Sequence, residues 1–257
     1  MKVNYTDLIN KIKGASLHKP LSGTLSGRAA GEPFDKHVYS EIKKQLPENT
    51  FRQYEYLNDL YSKNANIIGV KARQALFDSP SVLFLLSRGK EATKKWAVDN
   101  PFDEKQDDTA DILILVVKDN FYEIIDVKTR NLSKIAQAPN IISAFKLAQL
   151  CAIMIDNQEF DTLSINYFEI DWLLENDKLV CKEAYFASLF QSTPENLYIN
   201  WAAAMQLQFH VCNLEQTFIG TAEQWTKAYL KHFVKQVYRR SEYMTEQYAK
   251  PFEKYII

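Results

Sequence analysis

Asp126 and Lys128 stand two residues apart within the segment Asn120 to Lys128, which is apolar and β-branched. Side chains alternate faces along a β-strand, so one carboxylate and one ammonium share a patch while Ile125 and Val127 face the other way. Asp111 opens a second segment of the same kind, Asp111 to Val117, and the turn-prone pair Lys118-Asp119 between the two predicts a hairpin. Pairing would bring Asp111 beside Asp126. Two close carboxylates repel unless a cation sits between them, and Mg²⁺ suits because it takes one or two carboxylates and completes its shell with waters and a substrate phosphate. The chemistry within reach is hydrolysis of a phosphodiester. Asp111 and Asp126 would hold the metal, and Lys128 would serve the attacking water as general base or as an electrostatic stabiliser.

Spacing alone leaves a plainer account open. Asp…Asp-x-Lys is a loose pattern with many chance occurrences. An ordinary ion pair at the solvent end of a strand, worth about 0 to 1 kcal/mol, explains it as economically.

The elements that must position this set are of mixed type. Phe34, Val38, Ile42 and Leu46 recur every four residues and predict a helix starting near Pro33. Phe51 to Tyr61 and Lys71 to Phe77 predict two more, the second ended before Ser79-Pro80. After the hairpin, Ile141 to Asp156 contains no Gly or Pro and reads as a buried helix. Ser164 to Trp172 and Leu179 to Cys181, joined through Glu175 to Lys178, and then Gln206 to Val211, read as strands. From Ala222 to Tyr248 one long amphipathic helix is expected, with Trp225, Tyr229, Phe233 and Val237 on its apolar stripe and Lys227, Lys231, Lys235 and Arg239 on a solvated strip beside it. No repeat, low-complexity tract or linker interrupts the chain, so the expectation is one α/β domain over residues 1–257, a mixed central β-sheet flanked by helices.

Composition removes several classes. Hydrophobic residues at 46%, aromatics at 13% and only 7 Gly and 8 Pro exclude a disordered or fibrous chain. Cys151, Cys181 and Cys212 are far apart with no CxxC pair, which argues against a disulfide framework or zinc cluster and for a reducing cytoplasm. The longest apolar run, Ile112 to Val117, is too short to cross a bilayer, and Met1 to Gly14 lacks the core of a signal peptide, so no membrane partner is expected. A net charge of −1 excludes a histone-like protein but not a nuclease, whose metal-binding acids offset the bases that meet phosphates. The glycine-punctuated stretch Pro20 to Gly31 lacks the Gly-Lys-Ser/Thr ending of a P-loop. His18, His37, His210 and His232 form no metal-spaced or triad-like set and receive no role.

Longer blocks carry more information. Ala110-Asp111-Ile-Leu, Ile125-Asp126-Val127-Lys128-Thr129-Arg130-Asn131 and Ala136-Gln137-Ala138-Pro139-Asn140-Ile-Ile resemble the HincII/HindII family of type II restriction endonucleases. Residues 23–27, 29–34, 53–59, 84–90 and 198–205 extend the resemblance in the same order over most of the chain. It implies a PD-(D/E)xK nuclease core and a homodimer that clasps double-stranded DNA with one active site per strand. It also implies Mg²⁺ as cofactor and blunt cleavage at GTYRAC, with a cognate DNA methyltransferase as functional partner only. The family's metal carboxylates fall on Asp111 and Asp126 and its lysine on Lys128. Two departures are that Ala110 stands in place of the Pro of the motif name, and that the hairpin is slightly longer.

The same resemblance implies the residues that read DNA. Arg130 and Asn131 follow the motif directly, with Lys134 close behind, and Gln137, Ala138 and Asn140 form the next block. Gln137 would enter the minor groove and press on the base stack, giving preference through deformability. Tyr198, Asn200 and Ala202 form a second block, in which the Asn200 amide suits adenine. Without the resemblance, residues 137–140 read as a polar turn capping a helix, Tyr198 as a half-buried aromatic, and Glu32 as a favourable helix-dipole charge rather than an auxiliary acid. Two further readings stay open at this point: a structure-specific repair nuclease of the same fold, and a non-catalytic DNA-binding protein.

Overall fold

A computed structural model describes residues 2–20, 28–53, 55–57, 78–86, 110–116, 120–135 and 137–256. Its elements are α1 (Tyr5–Ile12), β1 (Ser16–His18), α2 (Arg28–Gln45), β2 (Thr50–Phe51), α3 (Pro80–Leu86), β3 (Ile112–Val116), β4 (Phe121–Asn131) and β5 (Asn140–Ser143). They continue with α4 (Ala144–Asn157), β6 (Leu163–Glu175), β7 (Lys178–Ser188), β8 (Ile199–Asn200), β9 (Gln206–Gln208), α5 (Ala222–Met244) and α6 (Lys250–Glu253).

Among the described residues the central sheet runs β1-β7-β6-β4-β3-β2, and a small sheet runs β5-β9-β8. The pair β4·β6 is parallel and every other pair is antiparallel, so the sheet is mixed as expected. Parallel neighbours need a crossover, which β5 and α4 provide between β4 and β6. Residues of alternating parity along β3, β4 and β6 feed two cores. Ile112, Ile114, Ile125, Phe168, Ile170 and Trp172 pack under α1 and α2, against Leu8, Ile12, Phe34, Val38, Ile42 and Leu46. On the other face Leu113, Leu115, Tyr122, Ile124, Ile165 and Tyr167 pack against α3, α4 and α5. Helices on both faces of a mixed sheet give a layered α/β architecture.

Several boundaries differ from the sequence reading, each for a local reason. Helix α2 starts at Arg28, not near Pro33, because Ala29 and Ala30 favour helix and Pro33 sacrifices only the bond its missing N–H would have made. Pro80 is the first residue of a helix that the sequence reading did not anticipate, α3. The helix expected from Ile141 begins at Ala144, capped by the Ser143 hydroxyl accepting from Lys146 N–H, and residues 140–143 form β5. Its partner β9 lies more than sixty residues downstream, where no local pattern reaches. Strands β6 and β7 run longer than predicted, while β9 stops at Gln208 before a 3₁₀ turn at Val211–Asn213. Phe51 belongs to β2. Gln53 and residues 55–57 are helical, and the remainder of the predicted Phe51–Tyr61 helix lies outside the described residues, as does Lys71–Phe77.

Helix α5 begins with a capping box between Thr221 and Gln224 and seats its expected stripe on the core at Trp225 and Tyr229, although Val237 is exposed. It ends at Met244, where a π turn over Thr245–Ala249 leads into α6. Trp225 is fully buried, stacks on Tyr229 with centroids 5.4 Å apart, and donates its indole N–H to the Ser192 carbonyl at 2.7 Å. Trp225→Ala is expected to destabilise the protein by about 3–5 kcal/mol, since the cavity cannot close over a rigid sheet. Urea unfolding measures this, and a loss near zero would show that α5 is not anchored there.

Candidate active site

Along the face of β4 that carries Tyr122 and Ile124, the next side chains are Asp126, Lys128 and Arg130, so a single strand passes from core to charged site. Parallel pairing sets Tyr167, Glu169 and Asp171 of β6 beside them in register. In β3, Ile112 faces Ile125, so one step back puts Asp111 opposite Asp126. The turn into β3 is pinned twice: Asp111 N–H donates to the Ile125 carbonyl at 3.1 Å, and Val127 N–H donates to Asp111 Oδ2 at 2.7 Å. Lys128 Nζ lies 2.7 Å from Asp126 Oδ2. The structure therefore brings Asp111, Asp126 and Lys128 together, with Asp126 only 15% exposed and Lys128 23%.

Burial dominates the electrostatics. It pushes the Asp126 carboxyl up to about 7, with the Asp111 charge adding to the rise and Lys128 opposing it. Burial pulls the Lys128 ammonium down, but Asp126 and then Asp111 outweigh it and leave Lys128 above its ordinary value, so its charge is secure at neutral pH. A third acid, Asp35 on α2, was not anticipated. It is raised to about 6 by burial and by Asp111, against the Arg52 guanidinium. Arg52 Nη1 donates to both oxygens of Asp35, at 2.7 and 2.9 Å, and to the backbone carbonyl of Asp111 at 3.0 Å, which ties α2 to the metal-ligand candidate. Helix and strand approach closely here: a Cβ on Gly31 would meet Thr129 Oγ1 at 3.2 Å.

The donor set suits a hard cation. Asp111 and Asp126 each engage Oδ2 with the protein, the Asp111 charge adds to the rise at Asp126, and Mg²⁺ needs no more than one or two carboxylates. Among the described residues no group of three or more His, Cys, Asp or Glu is arranged to hold a metal.

The residues expected to read DNA divide into two groups. Arg130 is turned along the sheet: its Nε donates to Asp171 Oδ1 at 2.7 Å and its Nη2 to Asp171 Oδ2, a two-point pair with a buried acid. Asn131 Oδ1 accepts from Ser133 N–H and Oγ–H and so shapes the turn after β4. Gln137 and Asn140 are exposed and Ala138 is half-buried. Tyr198 is 62% exposed rather than half-buried, and Asn200 and Ala202 occupy β8 and the turn that follows. The small sheet places the 137–140 and 198–202 blocks on either side of β9. His210, given no role from sequence, is paired through Nδ1 at 2.7 Å with the fully buried Glu169, the register neighbour of Lys128. Glu169 and Asp171 lie on one face of β6 and are both buried, and neither was singled out from the sequence.

The family model of restriction endonuclease HincII matches residues 8–256. This chain belongs to the HincII restriction endonuclease family. It is 60% identical to the type II restriction enzyme HindII of Haemophilus influenzae strain Rd over 257 residues, covering 100% of this chain and 99% of that protein. It is 59% identical to the type II restriction enzyme HincII of Haemophilus influenzae over the same lengths. Among the described residues no helix is long and apolar enough to cross a membrane.

Two outcomes follow from the charges. An acid whose folded pKa is raised ionises first in the unfolded chain, so the native state loses stability as pH climbs from about 4 toward the folded value. Asp126→Asn, which cannot ionise, is expected to gain stability relative to the unsubstituted chain between about pH 4 and pH 7 in EDTA. Urea unfolding across that range tests the sign, and a flat difference would mean Asp126 is not raised. Arg130→Ala strands buried Asp171 and is expected to cost about 1–3 kcal/mol by the same method. An unchanged midpoint would free Arg130 from a structural role.

Proposed function

We propose that this chain is a Mg²⁺-dependent type II restriction endonuclease that hydrolyses both strands of double-stranded DNA at a short palindromic site, GTYRAC, leaving blunt ends. The observation that carries the reading is the convergence of Asp111, Asp126 and Lys128 at one end of the β3–β4 hairpin in a member of this family. Asp111 and Asp126 would hold Mg²⁺, which supplies polarisation of the scissile phosphate and a more acidic bound water. Arg52 and Val127 fix Asp111 from two sides, so its carboxylate need not reorganise when substrate arrives. Lys128, kept charged by Asp126, orients the attacking water or steadies the negative charge that develops on phosphate.

Recognition is assigned to the surface around β5, β8 and β9. Gln137, Ala138, Asn140, Tyr198, Asn200 and Ala202 contact DNA there, and Arg130 and Asn131 shape the strand end from which that surface departs. A palindrome read by identical contacts on each half requires two copies of the chain about a two-fold axis, hence a homodimer. The enzyme would act in the cytoplasm, with a cognate DNA methyltransferase protecting host sites.

The test is digestion of a sequenced plasmid carrying several GTYRAC sites, with Mg²⁺ or EDTA, read by fragment-end sequencing. Discrete blunt cuts at those sites, present only with Mg²⁺, are expected. A smear would indicate a structure-specific nuclease instead, and no cutting a binding protein. Lys128→Ala and Asp126→Ala should each lower the cleavage rate by about 10³-fold or more while DNA is still bound. Full activity in either variant would remove the catalytic assignment.

A further inference from the structure

Gln208 joins the two blocks assigned to DNA recognition. Its Cα lies opposite Asn140 across β5·β9, and its side chain reaches diagonally to Asn200 on β8. Gln208 Nε2 donates to Asn140 Oδ1 at 2.7 Å, and Asn200 Nδ2 donates to Gln208 Oε1 at 2.8 Å. Asn200 Oδ1 accepts in turn from the backbone N–H groups of Ala202 and Ala203, at 3.0 and 3.2 Å.

This chain of amides has only one polarity. A side-chain amide can usually be turned end for end, exchanging donor and acceptor. Here the two backbone donors admit only oxygen at Asn200 Oδ1, so its nitrogen must face Gln208. Gln208 must then meet that nitrogen with oxygen and offer its own nitrogen to Asn140. Asn140 is left with its acceptor occupied and its Nδ2 donor turned outward on an exposed residue. Asn200 has its acceptor occupied as well. The Asn200 oxygen, with both lone pairs used, has none left for a base, and Asn140 turns its oxygen toward Gln208 and its donor away from it.

The anchor of the chain is stiff. Ala204 and Met205 both adopt left-handed backbone, φ 50° and 56°, where non-glycine residues are strained. The Met205 carbonyl accepts from Ala144 N–H at 2.7 Å, which fastens the strained turn to the start of α4. The backbone donors that set the polarity thus do not turn with solvent.

Resting on the recognition reading above, we infer that Gln208 is a specificity-determining positioning residue. It need not touch DNA. Through it the fixed turn at 202–203 dictates that Asn140 presents a hydrogen-bond donor to an acceptor on a base edge. Gln208→Glu is the informative variant because it is nearly isosteric but has two acceptors. It can still accept from Asn200, yet it compels Asn140 to turn its nitrogen inward and present oxygen outward. Gln208→Ala releases Asn140 to present either.

The experiment digests a plasmid library carrying a randomised segment with the unsubstituted enzyme, Gln208→Ala and Gln208→Glu in Mg²⁺, and sequences the fragment ends. Added negative charge in Gln208→Glu weakens binding to all sequences alike, so the readout is the ratio of cleavage between sequences. Gln208→Ala is expected to relax preference at one symmetric pair of positions by about tenfold. Gln208→Glu is expected to shift preference at that same pair toward bases offering a donor. Variants that cut with the unsubstituted preferences, at whatever rate, overturn the inference and leave the nuclease reading intact. An unsubstituted enzyme without sequence-defined cuts overturns the reading on which the inference rests. If Gln208→Ala yields no folded protein, Gln208→Glu decides alone.

Discussion

Asp126 sits on a strand whose preceding residues on the same face are core, and the reluctance of that setting to hold negative charge governs what surrounds it. Tyr122, Ile124 and Tyr167 bring the apolar interior up to the carboxylate, and Asp111 faces it from the neighbouring strand. Burial makes Asp126 costly to ionise without positive charge nearby. Lys128 answers Asp126 from two residues along, and Arg52, from a separate segment, pairs with the Asp35 carboxylate and holds the backbone carbonyl of Asp111. A cation shared with substrate would complete the neutralisation. A group so costly to bury in the free protein is one the sheet must hold rigidly, and residues on paired strands are held more tightly than residues on loops.

The sheet meets this need through its two cores. The helices α1 and α2 clamp one face and α3, α4 and α5 the other, so β4 cannot slide without moving apolar side chains to the wrong side. Beyond the apolar half, β4 and β6 carry acids and bases in register: Lys128 beside Glu169, Arg130 beside Asp171. Buried Asp171 meets Arg130 and buried Glu169 meets His210 Nδ1, so the acids that follow the core along β6 are each partnered. The small sheet is held on a different principle, neutral amides linked across its strands in a direction set by backbone donors.

The pairing of Asp126 with Lys128 was legible because strand alternation is a two-residue rule, and the two obey it within a short stretch. The hairpin partner was legible because a turn-prone pair separates two β-branched segments. Asp35 and Arg52 were not, since 17 residues and a change of element separate them. Strand β5 was hidden for the same reason, as its pairing residues arrive with β9. The helix that begins at Pro80 was missed because proline both ends and begins helices, and only the following residues decide which.

The sequence by itself determined the class of chemistry and the α/β pattern, because short-range periodicity and a compact motif are properties of neighbouring residues. Tertiary structure alone decided which buried acid meets which base, which way Arg130 turns, and how Gln208 links Asn140 to Asn200. Hydrogen bonds and ion pairs between distant segments depend on distances of a few ångströms that the fold creates, and no spacing along the chain encodes them.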